Sequence, residues 1–298
     1  GDQESGRQGS GFLNSRDMQK GRLFRLLVCG SILSFAGCTG SVFTPSPILM
    51  PSHFIEVDEV SGIPCDETLP VIGDRFMPES MAGGCVLFDC DGDGDLDLYR
   101  LRFARGPNGV LECDAGANRL YRQDGPWEFT DITESSNLGD RGYAMGAASG
   151  DIDNDGDLDL YVANDFGPNC LYRNEGGKFT EIAAESGADD PSTGMSITWG
   201  DIDRDGFMDA CIGNMFSAAG NRVTSQAKFK EDLTKGLDAE RIRYLARGNT
   251  LLMSKGAQRF DERSAEAGIL NTQWTWGTLF GDFDNNGDLD MMAMNGFI

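Results

Sequence analysis

The sequence is almost without histidine: His53 is the single one among 298 residues. That scarcity excludes most hydrolase mechanisms built on an imidazole base, and histidine-rich metal sites with them. Basic side chains are also short, 25 Lys and Arg against 48 Asp and Glu, for a formal charge of -23. Such a chain lacks the cationic surface that tracks phosphates, so no nucleic-acid partner is expected. Proline is sparse, 10 residues beside 40 glycines, which describes a chain that turns often without being a proline-rich linker. Past the first glycine-flanked apolar stretch, no run approaches the roughly 20 residues of a membrane-spanning helix. With 40% hydrophobic residues, a core can still be built.

The N-terminal region has its own logic. Residues 1–17 are polar and pattern-free and are read as an upstream extension that is not native. From Met18, the basic Lys20, Arg22 and Arg25 precede the apolar Leu26, Leu27, Val28, Ile32, Leu33 and Phe35, the layout of an export signal. Phe35-Ala36-Gly37-Cys38 resembles a bacterial lipobox. The expectation is therefore a lipoprotein signal peptide over 18–37, lipid on Cys38 as the only membrane attachment, a Ser/Thr/Pro/Gly tether over 38–53, and an exported protein anchored at a bacterial envelope; plain secretion is the alternative. Six cysteines remain beyond Cys38, and their spacing gives no disulfide connectivity. Cys85 and Cys211 are expected as core thiols of strands.

Self-similarity dominates the rest of the chain. A nine-residue pattern occurs four times, starting at Asp89 (loop 1), Asp151 (loop 2), Asp201 (loop 3) and Asp282 (loop 4). Each copy lies between two short apolar stretches of strand character, the leading ones being Gly84–Phe88, Met145–Ser149, Met195–Trp199 and Trp276–Phe280. Downstream, Asn118-Arg-Leu-Tyr-Arg122 leads to Phe129, Asn169-Cys-Leu-Tyr-Arg173 to Phe179, and Asn249-Thr-Leu-Leu-Met253 to Phe260. These read as hairpins turned by Gly125, Gly176-Gly177 and Gly256. Tyr121, Tyr172, Phe129, Phe179 and Phe260, with Trp199, Trp274 and Trp276, are expected to pack between sheets. The unit of strand, acidic loop, strand and hairpin has the length of a propeller blade. The fold class expected over 54–298 is all-β, a β-propeller with about four blades. An insertion at about 215–248 carries a short basic helix, Leu237–Arg247, with Gly248 at its end.

The loops specify a hard cation. Numbering each from 1 to 9, the candidate ligands at positions 1, 3, 5, 7 and 9 are Asp89, Asp91, Asp93, Asp95 and Asp97; Asp151, Asp153, Asp155, Asp157 and Asp159; Asp201, Asp203, Asp205, Phe207 and Asp209; and Asp282, Asp284, Asn286, Asp288 and Asp290. Position 7 is expected to offer its backbone carbonyl, and Gly at position 6 permits the bend that brings it in. Two carboxylates about 5 Å apart repel by roughly 3 kcal/mol at an effective dielectric near 20. A compact loop of four therefore needs a counter-ion, and an all-oxygen set of this size favours Ca2+, about four ions in all. The glutamate that an EF-hand requires at position 12 is replaced by Arg100, Val162, Ile212 and Ala293, so that motif is rejected. Loop 4, with Asn286 for Asp, should bind more weakly. A site with a dissociation constant of about 0.1 mM would add roughly 1.4 kcal/mol of stability at about 1 mM calcium.

These loops, the Asn-x-Leu-Tyr-Arg and Phe-Thr-Asp-Ile segments and Asn214-Met-Phe-Ser-Ala-Ala-Gly-Asn-Arg222 resemble the FG-GAP and VCBS repeat proteins, especially the ASPIC/UnbV-like bacterial relatives of cartilage acidic protein, which are similar in turn to integrin alpha-subunit heads. The resemblance implies calcium in loops between blade strands and an extracellular adhesion or ligand-binding role, with a protein or glycan as partner. A closed propeller of that type usually has seven blades. Four would form a part of one, or an arc with open edges. The rival readings are a propeller enzyme acting on polysaccharides and a structural spacer; since the repeated carboxylates are already spoken for as ligands, no catalytic residues are assigned.

Overall fold

A computed structural model describes residues 61–64, 83–102, 118–140, 142–165, 167–224, 239–256 and 258–296, all within the compact unit Val60–Ile298. The export signal, Cys38, the tether, His53, Cys65, Cys113 and the lysines of the insertion lie outside the described residues. Strand is the main regular structure of the described residues, which fold as an all-β, propeller-like series of antiparallel sheets. Sheet 1 holds β1 (Cys85–Phe88), β2 (Asp97–Arg100), β3 (Arg119–Gly125) and β4 (Glu128–Asp131), hydrogen-bonded in that order. Sheet 2 repeats it with β5 (Ala144–Gly150), β6 (Asp159–Asn164), β7 (Cys170–Asn174) and β8 (Phe179–Glu181). Sheet 3 has β9 (Ser196–Gly200), β10 (Asp209–Gly213), β11 (Thr250–Ser254) and β12 (Phe260–Glu262), and sheet 4 has β13 (Thr275–Gly281) and β14 (Asp290–Asn295).

Register explains why the acidic loops are alike. Phe88 pairs with Asp97, Gly150 with Asp159, Gly200 with Asp209 and Gly281 with Asp290. In every sheet, therefore, the residue before position 1 stands opposite position 9, and the loop is closed by the first rung of the ladder. The sheets meet through their first strands, β5 against β1, β9 against β5 and β13 against β9.

Between sheets 1 and 2 the core contains Phe88, Cys90, Tyr99, Leu101, Leu120, Leu160, Val162, Tyr172 and Phe179. Between sheets 2 and 3 it contains Ile152, Tyr161, Ala163, Leu171, Ile212, Leu252 and Phe260, with Trp199 packed against them. Trp199 stands edge-on to Tyr161, ring centroids 5.9 Å apart, and Phe88 edge-on to Phe179 at 6.3 Å, the geometry that aromatic quadrupoles prefer.

Several expectations are corrected. Trp274 and Trp276 do not pack between sheets but are exposed. Cys85 is an exposed thiol rather than a core one, whereas Cys211 is buried. Alternation explains this: β1 is covered on one side only, and Cys85 points away from Phe88's neighbours. In the first hairpin, the left-handed turn residue is Trp127 (φ 69°), not Gly125. Two one-turn helices, α1 (Thr133–Ser136) and α2 (Ala183–Ser186), end at the left-handed Asn137 and Gly187 and have no counterpart in the sequence patterns.

The insertion contains α3 (Ala218–Thr224) and α4 (Ala239–Leu245), with Gly248 in the left-handed region (φ 100°). Its Arg247 meets Asp190 at 3.4 Å and Glu262 at 3.3 Å and covers the Tyr244 ring at 3.9 Å. This arginine balances Glu262 of sheet 3 and Asp190 of the segment leading into it, as a basic segment in an acidic chain should. Among the described residues, no helix is long and apolar enough to cross a membrane.

Candidate metal centres

Each acidic loop folds on its own backbone before any ion is considered. The position 1 carboxylate accepts the N–H groups of positions 5 and 6: for Asp151, from Asp155 at 3.2 Å and Gly156 at 3.1 Å, and likewise for Asp89, Asp201 and Asp282. Position 5 accepts the N–H of position 7, at 3.0 Å for Asp93, 2.9 Å for Asp155, 2.9 Å for Asp205 and 2.7 Å for Asn286. Position 6 is left-handed in all four, Gly94, Gly156, Gly206 and Gly287 having φ between 90° and 97°, a conformation that glycine enters without a Cβ penalty.

Position 9 does more than ligand spacing alone implies. Asp97, Asp159 and Asp209 are buried, and each accepts two backbone N–H groups. One comes from position 2 of its own loop, Cys90 at 2.8 Å, Ile152 at 2.9 Å and Ile202 at 2.9 Å. The other comes from the third strand of the sheet, Gln123, Asn174 and Ser254, all at 2.8 Å. Charge-assisted bonds of this kind are the strong ones. Asp290 accepts from Phe283 at 3.0 Å. The repeated Asn has a matching duty at the far end of the strands: Asn118, Asn169 and Asn249 accept the N–H of Arg102, Asn164 and Asn214 at 2.7, 2.7 and 2.9 Å.

The structure brings positions 1, 3 and 9 together. Asp89, Asp91 and Asp97; Asp151, Asp153 and Asp159; Asp201, Asp203 and Asp209; and Asp282, Asp284 and Asp290 each offer oxygens within 4.8 Å of one another. Position 5 stands outside these triads, and position 7 enters the expected set only through its carbonyl. Within the first two triads, Asp91 Oδ1 and Asp153 Oδ1 are buried with no hydrogen-bond donor. An orphaned buried oxygen is costly, and here it faces two further carboxylates. Burial first, then the charges of Asp93 and Asp97, raises the Asp91 carboxyl above its ordinary range. Burial pushes Asp159 up to about 7 although the N–H groups of Asn174 and Ile152 pull it down, and Asp153 and Asp155 add to the rise. Asp209 is raised for the same reasons. Oxygen-only donors, mutual repulsion and orphaned acceptors fit a hard cation, which would neutralise the triad and fix the loop between its two strands.

The following sheet completes the surroundings. Gly177, in the β7–β8 turn, lies so near loop 1 that a Cβ there would stand 3.2 Å from the Cβ of Asp91. Asn174 Nδ2 donates to the Cys90 carbonyl at 2.8 Å. In the β11–β12 turn, the Gln258 amide donates to the Asp153 carboxylate and its Oε1 accepts from Arg173 at 3.3 Å. The hairpin of one sheet thus covers the triad of the sheet before it. Exposure varies accordingly: positions 1 and 3 are half-buried in loops 1 and 2, Asp203 is exposed in loop 3, and Asp282 and Asp284 are exposed in loop 4. Sequence reasoning missed Gln258. The signal was its place two residues before Phe260, the place Gly177 holds before Phe179.

Comparison with known proteins agrees with this geometry. No curated protein matches the chain. Residues 89–162 and 151–212 each match the family model of the FG-GAP-like repeat. The first match runs from loop 1 through most of β6 and the second from loop 2 through most of β10, so loops 1 to 3 lie within two FG-GAP-like repeats.

Proposed function

We propose that the chain is a calcium-binding, exported module of FG-GAP repeats that binds a protein or glycan outside the cell, anchored through lipid on Cys38. The observation that carries this reading is the fourfold carboxylate triad, held open by its own backbone and containing orphaned oxygens in loops 1 and 2. Calcium would bind about four times, through positions 1, 3 and 9 with the position 5 side chain and the position 7 carbonyl completing the oxygen set. Its role is structural: it removes the repulsion within each loop and stiffens the sheet that carries it. An extracellular calcium level suits sites of this kind, and the lipoprotein-like N-terminus supports the same compartment. The FG-GAP matches support a binding or adhesion role, and kinship with the cartilage acidic protein relatives and integrin heads belongs to this proposal.

Calorimetric melting with calcium and then with excess chelator, beside metal analysis of the purified chain, tests the metal. We expect several bound ions and a large fall in melting temperature on chelation. A metal-free protein that melts identically in both buffers overturns the reading. Screening glycan and matrix-protein arrays in the same two buffers tests the partner, with calcium-dependent capture as the expected result.

A further inference from the structure

Position 4 of every acidic loop is left-handed: Gly92 at φ 78°, Asn154 at 60°, Arg204 at 60° and Asn285 at 57°. Glycine and asparagine enter that region readily, whereas other residues meet a steric cost there. Arg204 is therefore strained, and its contacts show where it is held. Its guanidinium donates to the Gly287 carbonyl and the Asp288 carboxylate of loop 4. One sheet earlier, Asn154 Nδ2 donates to the Gly206 carbonyl of loop 3 at 2.9 Å. Donor and acceptor occupy the same repeat positions in both cases, position 4 of one loop and the position 6 carbonyl of the next. Loop 1 has Gly92 there and no side chain to send.

The acceptor is a sensitive point. The peptide group between Gly206 and Phe207 is held at its carbonyl by Asn154 and at its N–H by Asp205 Oδ1. That between Gly287 and Asp288 is held by Arg204 and by Asn286 Oδ1. Each such plane joins two expected ligands, the position 5 side chain and the position 7 carbonyl, so rotating it would displace both. Resting on the calcium reading above, we propose that Asn154 and Arg204 are positioning residues that couple the metal sites of loops 2, 3 and 4 into one cooperative series, with loop 1 outside it. An ion in loop 3 fixes the plane that Asn154 holds. Asn154 in turn orders the bend of loop 2, and coupling of this kind is reciprocal.

The test is calcium titration calorimetry on the full chain and on Asn154→Gly, which keeps the left-handed backbone that Gly92 already shows and deletes only the donor. One hydrogen bond is worth about 1 kcal/mol, or about fivefold in affinity. Asn154→Gly should keep the parent's number of ions, lose slope in the titration and weaken its cooperative phase by about that factor. Arg204→Gly relieves the strain, so its melting temperature in chelator should equal or exceed the parent's while its calcium affinity falls; a purely structural role would move both together. Gly92→Asn should draw loop 1 into the cooperative phase. Superimposable titrations of Asn154→Gly and the parent overturn the coupling while leaving the calcium reading intact, and a parent that takes up no calcium overturns both.

Discussion

Asp159 Oδ1 accepts the backbone N–H of Asn174 at 2.8 Å, which ties the end of an acidic loop to the third strand of its sheet. The other oxygen holds Ile152 at 2.9 Å. Asp159 is thus a strut as well as an expected ligand, whereas Asp153, with its orphaned Oδ1, holds only the Gln258 amide when no ion is bound. Two buried N–H groups left unpaired should make Asp159→Ala cost about 3–5 kcal/mol in chelator, and more in calcium, where a ligand is lost as well. Asp153→Ala should remove one ion and lower the melting temperature far more in calcium than in chelator, where only the Gln258 contact is lost. Melting both variants in both buffers separates the two roles.

The same carboxyl gives the chelated protein a pH dependence of known sign. Burial raises Asp159 to about 7 in the fold, far above the ordinary carboxyl value of an unfolded chain. Between those values the folded state holds a proton that the unfolded state has lost, so this contribution to stability is complete below about pH 4 and disappears as pH rises through about 7. Chelated protein should therefore melt higher at pH 5.5 than at pH 8, while added calcium, which needs the ionised form, should stabilise more at pH 8. Asp159→Asn, neutral at every pH, should flatten the chelated profile by about one proton.

One repeat position has two opposite environments. Tyr161 in β6 and Met292 in β14 both stand two residues after position 9 of their loops. Tyr161 is fully buried between sheets 2 and 3, its hydroxyl donating to the Ala188 carbonyl at 2.8 Å, while Met292 is 42% exposed. Tyr161→Ala should cost about 3–5 kcal/mol through cavity and lost hydrogen bonds. Met292→Ala should stay within about 0.5 kcal/mol of the parent. Urea unfolding of both reads the contrast directly.

That contrast also marks how far the sequence can be read. The acidic loops, the strand before each and the hairpins after the first three are local, written in carboxylates, alternation and glycine, and they lie where those patterns put them, the turn residue of the first hairpin apart. What connects one sheet to the next is not local. Nothing beside Gln258 in the chain points to Asp153, and nothing near Asn154 points to Gly206; these pairs exist because sheets stack in order. Trp274 and Trp276 depart from expectation for the same reason. Their recurrence suggests packing, but exposure depends on what faces the fourth sheet. Position 9 is legible as a ligand and not as a strut, since its second donor arrives from a strand 15 residues on in sheet 2.

Two adjacent glycines allow backbone strain to be separated from contact. Gly176 and Gly177 are both left-handed, at φ 61° and 83°. A Cβ on Gly176 would meet open space, whereas one on Gly177 would press on Asp91 in the loop of the preceding sheet. Either alanine should therefore destabilise the hairpin by about 1 kcal/mol through its backbone alone. Only Gly177→Ala should go further, displacing Asp91 and weakening calcium binding at loop 1 several-fold while the other sites titrate as before. Calcium titration of both variants tests the covering of each site by its neighbour's hairpin: equal affinities would mean that Gly177 merely lies near Asp91, and a selective loss in Gly177→Ala would make the β7–β8 turn part of the first metal centre.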